Sequence, residues 1–352
     1  MTIVRLEAWV TQTAYKSAVT FTVGGAAAAV HHLWLRVTDD TGTSGLSETI
    51  VKPEWTGLDA ATTMAAVEHL LWPRMGGLDA PHARAAVQSL RGLPMLHASV
   101  GHAVRDMEAP QPSRVVDVAT VLTRDTPDVM ADAAKAAQDT HGITAIKMKA
   151  GQGLAIDAAC VSSIRKTLGD GAAISLDANS AYGVEDGLEL CRIAADHGVD
   201  FVEDPWPLAP DQATQDAIAR APLPICVDRP LNDAALGQAM LDRGAMILAA
   251  KPNRIGPDAA KTIEDAAHAM GARSVAAMFG EGCLGALQQV RGVRGNVAFE
   301  AAHWLDLDAP VAVPGMTITN GQLHAPTGRA ADLVDKAELQ AKSIQSWEAH
   351  HA

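Results

Sequence analysis

The stretch "ITAIKMKAG" (residues 143–151) decides how the chain is read. Isoleucine, alanine and methionine give it the look of an apolar core strand, yet Lys147 and Lys149 sit inside it, two residues apart. Successive strand side chains point to opposite faces, so the two lysines share one face. The chain has only ten lysines, which makes a same-face pair a poor candidate for solubilising decoration. An apolar body with a cationic end fits a strand in a barrel wall whose last residues reach a catalytic mouth.

Working outward, short apolar runs recur. They are "VVDVATVL" (115–122), "AAISLDA" (172–178), "VDFVED" (199–204), "LPICVD" (223–228), "AMILAAK" (245–251), "SVAAMF" (274–279) and "AAHWLD" (301–306). Helical patterns alternate with them, and two of these, "DVMADAAKAAQDTHG" and "VEDGLELCRIAADHG", close on the His-Gly step of a helix C-terminus. Eight units of ~20–30 residues predict an α/β fold, a modified TIM-type (β/α)8 barrel with its chemistry at the C-terminal strand ends.

The barrel is assigned to residues 111–309. Residues 1–110 break its rhythm: "TIVRLEAWV" and "HHLWLRVTDD" read as strands, followed by helical patterns such as "MLHASVGHAVRDMEA". An N-terminal α+β capping domain is expected there. Residues 310–352 read as a strand or two around the Asn320-Gly321 turn, then a helical tail, a segment that returns to the cap.

Composition narrows the function. Of 352 residues, 48% are hydrophobic and 20% charged, as in a globular protein. A formal net charge of −13 disfavours nucleic acid and anionic membranes as partners. No apolar run approaches the ~18 residues of a membrane span. "MTIVRLEAWV" lacks the layout of a signal peptide, and Cys160, Cys191, Cys226 and Cys283 are far apart with no C-x-x-C spacing. A cytoplasmic enzyme with free thiols is expected.

Three consecutive strands end in acids: Asp177, Glu203 and Asp228, spaced by 26 and 25 residues, about one βα unit each. Carboxylates converging at one height disfavour each other's ionisation, and a hard divalent cation resolves this; all-oxygen ligands suit Mg²⁺. Strand six ends in Lys251, across the barrel from Lys149. Two opposed lysines flanking a metal suit proton transfer at a carbon next to a carboxylate, through an enediolate. A lysine acting as base must first lose its proton, which neighbouring positive charge from Lys147 and the metal favours. A single acid at a strand end is ordinarily a helix cap or a surface charge; five such groups at strand spacing are not.

With these residues in view, the chain resembles the enolase superfamily, in its muconate-lactonizing subgroup. The matching residues are Lys147-Met148-Lys149, Asp177-Ala178-Asn179, Glu203-Asp204-Pro205, Asp228 and Lys251. "TDDTGTSGLSE" (38–48) is similar to the capping-domain turn of that family. The resemblance implies Asp177, Glu203 and Asp228 as Mg²⁺ ligands, with Lys149 and Lys251 as the acid/base pair and Lys147 assisting. "HWLDLDAP" (303–310) is similar to the D-x-D segment of dipeptide epimerases, which implies that Asp306 and Asp308 hold a substrate ammonium group. Tyr15, Lys16 and Phe21 fall in the specificity loop (11–25), and Glu281 is a further pocket candidate or a helix N-terminal acid. Departures are Asp228-Arg229-Pro230 in place of the usual Asp-Glu-Ser, a deletion between Met107 and Val115, and "PTGRAADLVD" near the C-terminus.

The expected function is racemisation or epimerisation of an N-substituted amino acid or dipeptide. Cycloisomerisation, dehydration and a non-catalytic carboxylate- or metal-binding barrel stay open. The expected partners are a small-molecule carboxylate and further copies of the chain in a homo-oligomer.

Overall fold

Period-two burial builds the N-terminal sheet. In the computed structural model, which describes residues 1–21 and 25–351, β1 (Ile3–Phe21) pairs antiparallel with β2 (Gly25–Asp39), setting Trp9 opposite Trp34. A third strand, β3 (Ser44–Val51), which the sequence pattern left inside a turn region, lies along β2. Strand β1 also runs beyond its expected end, because Thr11, Thr13 and Tyr15 are buried while Gln12, Ala14 and Lys16 are exposed. The helix Pro94–Glu108 packs on this sheet through Leu96, Val100, Ala103 and Met107. Gly45 permits the contact: a Cβ there would stand 2.0 Å from the Ala103 carbonyl oxygen.

The first barrel run divides in two. β4 (Arg114–Asp117) leaves the barrel, and β5 (Ala119–Leu122) begins it. β6 (Ala145–Lys149), β7 (Ala173–Asp177), β8 (Phe201–Glu203), β9 (Ile225–Val227), β10 (Ile247–Ala250) and β11 (Arg273–Ala276) follow in one parallel sheet of seven strands, each beside its sequence neighbour. The mixed α/β architecture, a curled parallel sheet with a separate antiparallel one, is the expected class.

The eighth position differs from expectation. Residues 301–306 are not a strand; His303–Asp306 form a 3₁₀ turn. Residues 296–300 take the place instead, with Asn296 and Glu300 donating to Ser274 and Ala276 on one side. On the other, Phe299 donates to Asp117 and accepts from Ala119. Phe299 is buried, and the segment 296–300 is hydrogen-bonded at both edges, which outweighs any local preference of "AAHWLD".

Beyond the barrel, β12 (Thr317–Thr319) and β13 (Gln322–Ala325) flank Asn320-Gly321, both at positive φ (53° and 74°), and β13 pairs with β4. The expected helical tail is helical over Ala330–Leu333 and Lys336–Ala341. Ser343–His350 form β14, antiparallel to β1 with Trp347 opposite Ala8. No helix among the described residues is long and apolar enough to cross a membrane. The four cysteines are buried and free.

His102, on the helix over the cap sheet, donates from Nε2 to the Pro252 carbonyl at 3.1 Å, one residue past Lys251. Burial pushes its pKa down to about 3. Stability from a neutral imidazole is full above its unfolded pKa near 6.5 and is lost as pH falls toward the folded value. Going from pH 7 to pH 5 therefore removes about 2 kcal/mol through this group. Urea unfolding at both pH values checks this: His102→Gln, which keeps a donor but does not titrate, flattens the pH dependence by that amount.

Candidate active site

Register lines up the strand ends. Lys149 is paired with Asp177, Asp177 with Glu203, and Glu203 with Cys226, so one layer of the barrel carries Lys149, Asp177 and Glu203 side by side. Asp228 follows β9 and Lys251 follows β10. Just past these ends the chain turns through positive φ at Asn179 (48°) and Asp204 (40°), strained positions of the kind that accumulate at functional sites.

The carboxylates are out of water. Asp177 and Glu203 have no exposed surface and Asp228 only 2%. Lys147 donates to both oxygens of Glu203 at 2.8 Å and to Glu300 at 2.9 Å, and lies 3.3 Å from Asp177. Burial alone would lower the Lys147 pKa, but Glu203, Glu300 and Asp177 together raise it well above the usual lysine value. Lys147 is thus a compensated cation rather than the bare neighbouring charge that the K-x-K spacing implied.

Lys149 donates to Asp177 at 2.5 Å and to the Asn179 side chain at 3.3 Å. Lys251 donates to Asp228 at 2.6 Å, and Arg254 donates to the other oxygen at 3.0 Å. Burial opposes ionisation of Asp177, but Lys149 and Lys147 prevail and hold it below the usual carboxylate range. Lys251 and Arg254 do the same for Asp228. Glu203 goes the other way: burial, then Asp177, push it well above that range. Asp204 rises to about 7 through burial and the charges of Asp228 and Asp177. It accepts from the Asp228 and Arg229 amides, and so positions the turn that carries Asp228.

Part of this cluster borders a cleft. Lys149, Asp228 and Lys251 line it from the barrel, Lys52 and Trp55 from the cap, and His303 from the chain beyond the eighth position.

Among the described residues, no three His, Cys, Asp or Glu side chains form a ready metal cage. Asp177 and Glu203 nevertheless interact directly through their side chains, and the charges of Asp177 and Asp228 both push the Glu203 carboxyl up. A buried, mutually repelling, all-oxygen set of this kind fits a hard cation such as Mg²⁺.

The substrate candidates scatter. Tyr15 is buried, with its hydroxyl 3.5 Å from Nε2 of His303. Lys16 donates to the Leu305 carbonyl at 2.7 Å. The Phe21 side chain and residues 22–24 lie outside the described residues. Asp306 is exposed and sits 3.4 Å from Nδ1 of His303; Asp308 is exposed, its backbone N–H on Ala14. Neither acid lines the cleft. Glu281 is buried and accepts from the Phe279 and Gly280 amides and from Asn253, stapling its loop rather than facing the cleft.

Sequence reasoning missed Glu300, Arg254, Lys52, Trp55 and His303. Glu300 was hidden by the misplaced eighth strand, although "NVAFE" also alternates and ends in an acid. Arg254 stood in view three residues after Lys251. Lys52 carries no local signal, since only the end of β3 aims it at the barrel.

Comparison with known proteins adds the relationship. The family model described as enolase C-terminal domain-like matches residues 129–329, more than half of the chain. The chain belongs to that family. L-Ala-D/L-Glu epimerase of Escherichia coli is 28% identical over 219 residues, 60% of this chain and 64% of that protein. The curated relatives are matched over 23% to 64% of their own lengths. Two solved structures share the fold of this enolase-family chain. One is the Pseudomonas fluorescens muconate lactonizing enzyme complexed with muconolactone (TM-score 0.87, 21% identity, 97% of this chain and 99% of that one). The other is the Bacillus cereus N-succinyl Arg/Lys racemase (TM-score 0.88, 16% identity, 99% and 100%).

Removing Lys147 leaves Glu203 and Glu300 buried without their shared partner. Lys147→Met is expected to destabilise the metal-free protein by about 3–5 kcal/mol, measured by urea unfolding at pH 7. A loss below about 1 kcal/mol, the level of a surface pair, would show that the cluster does not depend on this cation.

Proposed function

We propose that the chain is a Mg²⁺-dependent isomerase that removes the proton α to a substrate carboxylate and returns one to the opposite face. The substrate is an N-substituted amino acid or dipeptide. One observation carries the reading: Lys149 and Lys251, from walls of the barrel separated by β7, β8 and β9, border one cleft, each tied to a different buried carboxylate. A protein that only binds carboxylates has no use for two opposed amines.

Asp177, Glu203 and Asp228 are the residues that would hold the metal. When bound, Mg²⁺ supplies the positive charge that stabilises the substrate carboxylate as it gains electron density. Asp177 and Asp228 keep the two lysine amines at the cleft wall. In one direction, neutral Lys149 takes the α-proton and becomes an ammonium, leaving an enediolate. The Lys251 ammonium then gives its proton to the other face of that carbon and becomes neutral. The reverse direction exchanges the roles. Lys147 stays charged throughout and keeps Glu203 in place. The epimerase and racemase among the similar proteins named above support 1,1-proton transfer as the reaction.

Incubation with Mg²⁺ and pooled N-acyl amino acids and dipeptides in D₂O, followed by NMR, tests this. The expected result is deuterium at the α-carbon with inversion. Ring closure or loss of water would replace the epimerase reading with a cycloisomerase or dehydratase. Lys149→Ala and Lys251→Ala should each lower turnover by roughly 10³-fold or more while Mg²⁺ binding survives, and chelation by EDTA should abolish exchange. Near-full activity in either lysine variant would refute the two-base mechanism.

A further inference from the structure

The cleft holds more positive charge than proton transfer uses. Lys149 and Lys251 meet Asp177 and Asp228, and Lys52, Arg124 and Arg229 line the same wall. Arg124 donates from Nε to the Ala150 carbonyl at 2.6 Å and from Nη2 to the Ala178 carbonyl at 3.4 Å. Arg229 donates from Nη1 to the Asn179 carbonyl at 2.7 Å. Both are pinned by backbone carbonyls beside Lys149, and among the described residues neither forms an ion pair with a carboxylate. Asp228 is the only acid lining the cleft among the described residues.

We propose that Lys52, Arg124 and Arg229 form a second anion subsite, so that the substrate is dianionic. Beyond its reacting carboxylate it carries another carboxylate on its distal part, as in an acidic N-acyl amino acid. This rests on the proton-transfer reading for the position of the reacting carboxylate.

Three further observations support the subsite. Lys52 sits among like charges in the cleft: burial, then the charges of Lys149 and Lys251, outweigh Glu54 and Glu281 and bring its pKa down to about 8. A bound anion relieves that repulsion, and guanidinium groups already fixed by carbonyls bind it without further ordering. The Arg229 guanidinium lies 5.5 Å from the Trp55 ring centre, and Trp55 meets Phe279 edge-on at 6.0 Å, so aromatic surface covers one side of the Arg229 cation. The acids that would recognise a cationic substrate are elsewhere, since Asp306 and Asp308 are exposed outside the cleft.

The test is calorimetric binding to the full chain in Mg²⁺. The probes are N-acetyl-L-glutamate, its near-isosteric monoanion N-acetyl-L-glutamine, and N-acetyl-L-lysine. N-acetyl-L-glutamate is expected to bind roughly tenfold tighter or more than the other two. In Lys52→Met and, separately, Arg229→Gln, the preference should shrink to about threefold or less, with circular dichroism unchanged. Equal or tighter binding of the amide or the lysine probe overturns the proposal, as does a preference that survives in both variants. Deuterium exchange is read on the same bound probes in D₂O. A charge preference without α-exchange upholds the subsite and counts against the proton-transfer reading, whereas exchange without a charge preference does the reverse.

Discussion

Three carboxylates, Asp177, Glu203 and Asp228, are withdrawn from water at the mouth of the barrel, and the surrounding architecture follows from the need to compensate them. Lys147 answers from within the wall, joining β6 to Glu203 on β8 and to Glu300 at the eighth position. That ammonium bridges elements far apart in the ring and helps to fix where the barrel closes. Lys149 and Lys251 compensate the two flanking acids from the solvent side, and Arg254 adds a second donor to Asp228. Glu203 is pushed toward protonation even with Lys147 beside it, so the set as it stands favours additional positive charge. The same arithmetic of charge that makes the cluster costly to bury makes it receptive to a divalent ion.

The cap is tied to this mouth by buried polar contacts. Glu48 on β3 accepts from the Gly285 amide at 2.6 Å, and Nε2 of His32 on β2 bonds to the Gly280 carbonyl at 2.9 Å. His32 carries no chemistry in this arrangement; burial lowers its pKa to about 4, and as a neutral ring it anchors the cap to the loop after β11. Because β3 is anchored there, its next residue, Lys52, and then Trp55 enter the cleft at fixed places. The cap thus supplies Lys52 and Trp55 to the cleft, while Lys149 and Lys251 reach it from the ends of barrel strands.

Much of the barrel was legible because β6 to β11 are short apolar runs with charged or turn residues at their ends, repeating at βα spacing. The acids and the two cleft lysines could be found from strand ends alone. The eighth position could not, since "NVAFE" and "AAHWLD" are both short, apolar and acid-terminated, and hydrogen bonds of Phe299 to residues 117 and 119 decide between them. The tail failed for a related reason: "SIQSWEAH" is too short to separate helical from strand periodicity, and the free edge of β1 selects the strand. Lys147's role was illegible because Glu300, the partner that changes its meaning, lies 153 residues away.

The D-x-D segment shows how a motif can be kept while its surroundings change. Leu307 is buried and bridges Tyr15, and the Asp308 amide bonds Ala14, so this stretch works as a strut between the barrel exit and β1. Asp306 turns toward His303 rather than into the cleft, and it is His303 that faces the cavity, with Tyr15 on its other ring nitrogen. A carboxylate behind an imidazole fixes the orientation of the ring that lines the cleft. The segment that by resemblance receives a cation thus contributes to the cleft wall through His303 rather than through its acids. The cap, through Lys52 and Trp55, lines the cleft where the acids of the motif do not.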